Sequence, residues 1–166
     1  MKRLLSATVA LALFASFGAL EAQAGNTAVI DQWGSGNGSA AVQNGNRNRT
    51  VVTQRGYRHY ARGRQTGYNN YLRMDQYGAR NSAMTDQRGN NNYAVTGQQG
   101  AGLTARTYQY GYGNVAGTAQ IGNGSTATTD QDGVNNTSAV IQVGNGQNAR
   151  VGQSGENNIS VVIQGD

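Results

Sequence analysis

Thirteen glutamines stand eleven residues apart without a slip: Gln32, Gln43, Gln54, Gln65, Gln76, Gln87, Gln98, Gln109, Gln120, Gln131, Gln142, Gln153 and Gln164. Two residues after each of the first twelve comes a glycine: Gly34, Gly45, Gly56, Gly67, Gly78, Gly89, Gly100, Gly111, Gly122, Gly133, Gly144 and Gly155. Asp166 takes that place after the last glutamine. A period held this strictly means that one short structural unit is stacked on itself.

The repeat begins at Asn26. Before it, Lys2 and Arg3 head an apolar run to Leu20, and Ala22-Gln23-Ala24 has the small-x-small form of a cleavage site. Residues 1–24 read as a secretory signal peptide that is removed, since the run is short for a membrane span of ~20 residues. Residues 25–166 read as one repeat domain of thirteen 11-residue units. Cysteine and proline are absent from the sequence, so no disulfide staples the domain and no residue denies a sheet its backbone donor. The Gly, Asn, Gln, Ser and Thr content alone would suggest disorder, but a disordered tract has no reason to keep register. Beyond residue 24 stand 11 Arg and no Lys against seven acids, a net charge near +4. Contact with acidic surfaces is thereby permitted and not demanded.

Numbering each unit from its start puts Gln at position 7 and Gly at position 9. Strand residues alternate between faces, so if Gln points inward, positions 1, 3, 5, 7 and 9 do as well, and positions 10 and 11 make the turn. Of the 18 charged residues beyond residue 24, all but Asp166 avoid the inward places, as the cost of burying unpaired charge requires. The nine tyrosines and Trp33 also fall outside. Position 1 then separates two kinds of unit. In odd units it is always Asn: Asn26, Asn48, Asn70, Asn92, Asn114, Asn136 and Asn158. In even units it reads Asn37, His59, Asn81, Leu103, Ser125 and Gln147. The true repeat is therefore a pair of units, and the expected fold is all-β: a two-sheet β-solenoid of 22-residue coils, each of two strand-turn units, with parallel in-register cross-β stacking. Stacked Gln and Asn amides satisfy one another in such ladders. Alanines at position 3 let the sheets approach, and Val52, Met74, Val140, Val151 and Val162 supply a thin apolar strip. Outside, the register sets Arg64 one rung from Asp86 and strings Arg62, Met84, Arg106, Thr128 and Arg150 along one row.

The chain resembles curlin, the repeat subunit of bacterial curli amyloid fibres, whose repeat reads S-x5-Q-x-G-x2-N-x-A-x3-Q. Ser125, Gln131, Gly133, Asn136 and Gln142 fit it, with Ser138 in the alanine place. Gln87, Gly89, Asn92, Ala94 and Gln98 fit with Asn81 in the serine place, and Gln109, Gly111, Asn114, Ala116 and Gln120 with Leu103 there. Serine fills its family place only at Ser125, and Asn26 opens the first repeat with no Gly-rich segment ahead of it. The resemblance implies a homopolymer that also joins a paralogous subunit, exported by curli-type outer-membrane secretion and accessory proteins. It implies fibre growth at the cell surface for biofilm matrix and adhesion. It leaves the major and the minor, nucleating, subunit both open. The Gln and Asn ladders are the expected polymerisation residues and the glycine series the expected turns.

Other classes fare less well. An ice-binding solenoid needs a flat outward Thr-x-Thr array, whereas Thr85, Thr96, Thr107, Thr118 and Thr129 take inward places. Arg47, Arg49, Arg55, Arg58, Arg62, Arg64, Arg73, Arg80 and Arg88, interleaved with Tyr57, Tyr60, Tyr68, Tyr71 and Tyr77, have a composition that suits anionic polymers or single-stranded nucleic acid. They suit a solvated face that keeps the subunit soluble better. Catalysis needs converging titratable groups, and the interior offers only His59, read as a substitute for Asn in a ladder. No metal or cofactor motif appears, so an enzyme is not expected.

Overall fold

The computed structural model describes residues 25–165. The signal-peptide reading of residues 1–24 and the place of Asp166 lie outside them. Thirteen strands follow one another at the expected period: β1 (Thr27–Ser35), β2 (Gly38–Asn46), β3 (Arg49–Tyr57), β4 (Tyr60–Tyr68), β5 (Tyr71–Ala79), β6 (Ser82–Asn90), β7 (Tyr93–Ala101), β8 (Thr104–Tyr112), β9 (Val115–Asn123), β10 (Thr126–Val134), β11 (Thr137–Asn145), β12 (Asn148–Glu156) and β13 (Ile159–Gly165). Odd strands form a seven-stranded sheet in the order β1-β3-β5-β7-β9-β11-β13, and even strands a six-stranded sheet, β2-β4-β6-β8-β10-β12. Every pairing is parallel and in register between units two apart, as in Gln32 with Gln54 and Gln65 with Gln87. The fold is the expected two-sheet solenoid.

The inward positions carry the core. Ala61, Ala83, Ala94, Ala105, Ala116, Ala127 and Ala149 are buried at position 3. Val52, Leu72 and Met74 form one apolar cluster, with Ile30 packed against it, and Val140 and Val151 another, with Val162 at its margin. Leu72 is large for position 3, and Gly63 on the opposite strand makes room for it. A Cβ on Gly63 would stand 2.5 Å from Leu72 Cδ2.

The bends fall later than expected. Positions 11 and 1 lie between the strands, and position 11 takes the left-handed conformation whether it is Gly36 (φ 67°), Arg58 (φ 54°) or Asn135 (φ 54°). The glycines from Gly34 to Gly155, expected in the turns, stand inside the strands two residues before each bend. Their role is close stacking. Gly111 has φ +112°, and a Cβ there would come 2.1 Å from the Gly133 carbonyl oxygen of the next coil. A position with positive φ and no room for a methyl group accepts only glycine.

Candidate functional site

Position 7 makes two continuous ladders. Each internal glutamine donates from Nε2 to Oε1 of the glutamine on the next rung of its sheet, as from Gln54 to Gln76 and from Gln65 to Gln87, both at 2.8 Å. The same nitrogen also donates across the interior to a backbone carbonyl of the opposite sheet, from Gln54 to Gly38 O at 3.1 Å and from Gln65 to Arg49 O at 3.1 Å. One amide thus ties successive rungs and both sheets. That is how a buried glutamine satisfies its own amide inside the core.

Position 1 works in the opposite sense. On odd units each asparagine backbone N–H donates back to Oδ1 of the preceding asparagine, as from Asn92 to Asn70 at 3.0 Å and from Asn136 to Asn114 at 3.0 Å. The side-chain amide reaches the carbonyls at the bend, from Asn114 Nδ2 to Tyr110 O and to Gly133 O, both 3.0 Å. On even units the row is mixed. His59 Nδ1 accepts from Asn81 N–H at 3.3 Å, while Nε2 lies 3.1 Å from Arg55 O. Arg55 O can only accept and Asn81 N–H can only donate, so the two contacts use Nε2 as donor and Nδ1 as acceptor. His59 stands in the ladder as expected for a substitute asparagine.

The outer face carries a second kind of ladder that linear sequence reading missed. The Arg55 guanidinium lies 4.6 Å from the Trp33 ring and 5.8 Å from Tyr77, three successive rungs of one row. Arg88 covers Tyr110 at 5.4 Å, and Tyr71 stacks on Tyr93 at 4.7 Å. The signal was present between units two apart, where aromatic and arginine places alternate. Burial pushes the Tyr110 phenol above its ordinary pKa, with Asp86 adding to the shift and Arg88 opposing it.

Arg64 and Asp86 are register partners, as expected. Asp86 nonetheless pairs with Arg88 of its own strand at 3.3 Å, and Asp75 with Arg73 at 2.7 Å. Each bond and its charge raise the arginine above its usual value. Such exposed pairs contribute little to stability. Arg62, Met84, Arg106, Thr128 and Arg150 do line one row. Among the described residues no cluster of three or more His, Cys, Asp or Glu could hold a metal ion, and no helix is long and apolar enough to cross a membrane.

The family described as curlin associated repeat matches residues 45–78, 78–106 and 122–155, together more than half of the chain. No curated protein matches the chain. The glutamine ladders run through the matched segments and on through Gln109 and Gln120 between them.

Proposed function

The chain belongs to the curlin associated repeat family, and we propose that it is a self-assembling structural subunit of a curli-type extracellular fibre. The observation that carries this reading is the state of the two edge strands among the described residues, β1 and β13. Outermost strands of a repeat protein that stays monomeric are usually capped by a polar outer face. Here β1 and β13 carry the same ladder residues as the middle. Gln32 and Gln43 donate to the next rung, and among the described residues nothing donates to their own Oε1 atoms. At the other end Ile159, Val161 and Ile163 of β13 are 78%, 61% and 71% exposed. Open strand edges are templates for further strands, and a head-to-tail contact that does not close makes a filament.

On this reading the chain is secreted, meets curli-type accessory proteins at the outer membrane, and joins itself or a paralogous subunit on the cell surface. A role as the minor, nucleating subunit uses the same ends. The test is assembly of residues 25–166 at micromolar concentration. Fibres with a ~4.8 Å meridional reflection are expected, sooner with a preformed seed. Protein that stays monomeric for days, seeded or not, overturns the reading.

One observation favours an added binding role. Arg62, Arg64, Met84, Asp86 and Tyr108 line a shallow cavity of about 170 Å³ on the even sheet. Neither Arg62 nor Arg64 is ion-paired among the described residues. A stacked fibre would repeat this face, which suits anionic matrix polymers or DNA. Retention of DNA by fibres that weakens steeply with salt would support it, and salt-independent retention would not.

A further inference from the structure

Both outermost described strands, β1 and β13, lie in the same sheet. Among the described residues seven strands stand against six, so the last described strand lies half a coil out of step with the first. A second copy stacked by translation would set its β1 on β13. Its β2 would then lie two strand spacings, about 9.6 Å, above β12, and one rung would be left unfilled. A copy turned half a revolution about the stack sets its β1 on β12 and its β2 on β13, and every rung is filled. We propose that copies of this chain add by this half-turn, so that each sheet of the fibre alternates seven-stranded and six-stranded segments. The inference rests on the self-assembly proposed above.

The side chains agree with the half-turn. In the register used throughout the chain, the incoming Ala28 meets Ala149, Ile30 meets Val151, Gln32 meets Gln153 and Gly34 meets Gly155. On the other sheet Ser39 meets Ser160, Ala41 meets Val162 and Gln43 meets Gln164. The two apolar clusters, one ending at Ile30 and the other at Val162, become continuous across the joint. The hydrogen-bond senses also match. Each glutamine donates toward the later coil, so Gln153 and Gln164 present donors to the Oε1 atoms of the incoming Gln32 and Gln43. On the asparagine row each position-1 N–H donates back to Oδ1 of the earlier coil, so the incoming Asn37 N–H meets Asn158 Oδ1. Outside, Val42 covers Ile163, whereas translation would set the Asp31 carboxylate on Ile163. In the half-turn Asp31 lies over Gly152, diagonal to Arg150. Continuous in-register stacking that leaves no rung unfilled is what cross-β assemblies favour.

The test uses the absence of cysteine from the chain. Thr27, Asn148 and Ile159 are exposed outward residues at the first place of β1, β12 and β13. Adjacent in-register strands are ~4.8 Å apart, inside the Cα range that a disulfide spans. Fibres are grown under reductant from a mixture of Thr27→Cys and Asn148→Cys chains, one isotopically labelled, and separately from Thr27→Cys and Ile159→Cys chains. Both are then oxidised and read by mass. A mixed disulfide dimer in the first mixture and not the second is expected. A mixed dimer in the second mixture, alone or with the first, overturns the half-turn in favour of translation or mixed stacking. Fibres with a mixed dimer in neither overturn it while self-assembly stands. Unsubstituted fibres reconstructed by electron cryomicroscopy give a second measurement. A rotation near half a revolution per subunit is expected, and a rotation near zero overturns the inference. Unsubstituted chains that form no fibre remove the self-assembly reading and this inference together.

Discussion

The two edges of the solenoid bend the same backbone with different side chains. On the edge that follows the even strands, position 1 is asparagine on every rung, and each of Asn48, Asn70, Asn92, Asn114 and Asn136 is buried. On the edge that follows the odd strands, the same place holds Asn37, His59, Asn81, Leu103, Ser125 and Gln147. Both edges put left-handed residues at position 11, and both return N–H to the previous coil, as from Asn91 to Tyr68 O at 3.0 Å and from Arg80 to Tyr57 O at 2.8 Å. The backbone therefore sets the bend. What asparagine adds is a second set of bonds, taken by its short amide to carbonyls on two neighbouring coils. The mixed edge shows that those bonds can be replaced one at a time. Asn81 Oδ1 accepts from Leu103 N–H at 3.1 Å, and Ser125 Oγ accepts from Gln147 N–H at 3.2 Å. Leu103 itself exchanges side-chain bonds for complete apolar burial.

The largest effect should ignore the difference between edges. Gly111 leads into the asparagine edge and Gly100 into the mixed one. A Cβ would lie 2.1 Å from Gly133 O in the first and 1.8 Å from Gly122 O in the second. Gly111→Ala and Gly100→Ala should each cost at least about 3 kcal/mol through strain and forced backbone shifts. Hydrogen exchange of the flanking strands in the assembled protein reads the loss. A mild effect at either site would mean that the edges differ in their backbone as well.

Asn114→Ala tests the asparagine edge itself. It removes the acceptor for Asn136 N–H and the donor to Tyr110 O and Gly133 O. Buried groups left unpaired in this way cost about 2–3 kcal/mol. A lower denaturant midpoint and faster exchange on β9 and β11 are expected. Unchanged exchange would make the uniform asparagine row ornamental.

The smallest effect should come from making the mixed edge more like its counterpart. His59 bonds Arg55 O and Asn81 N–H, and an asparagine there would make the same kinds of contact with one further carbonyl in reach. His59→Asn should change stability by less than about 1 kcal/mol, toward gain, by the same denaturant midpoint. A large loss would show that the imidazole ring fills space no amide can fill.

Much of this was legible in the residues because alternation along a strand is local. The glutamine series marked the inward face, and the asparagine series at twice the period separated the two sheets. Their in-register pairing followed from the repeat. Other features were not legible. Arg58 and Arg80 sit left-handed in bends although arginine has no preference for that conformation, and only the stacking of the coil imposes it. Arg55 appeared as one member of a basic cluster, whereas its contacts are Trp33 and Tyr77, one rung away on either side.

By itself the sequence determined the period, the inward face, the register and the division into two sheets, because each follows from which residue occupies every second or eleventh place. Only the tertiary structure decided where the bend falls and which partner each outward side chain takes. Asp86 has Arg64 directly across in register and Arg88 on its own strand, and it pairs with Arg88. A long, flexible, solvent-facing side chain chooses among neighbours of nearly equal energy, and a repeating pattern of residues does not contain that choice.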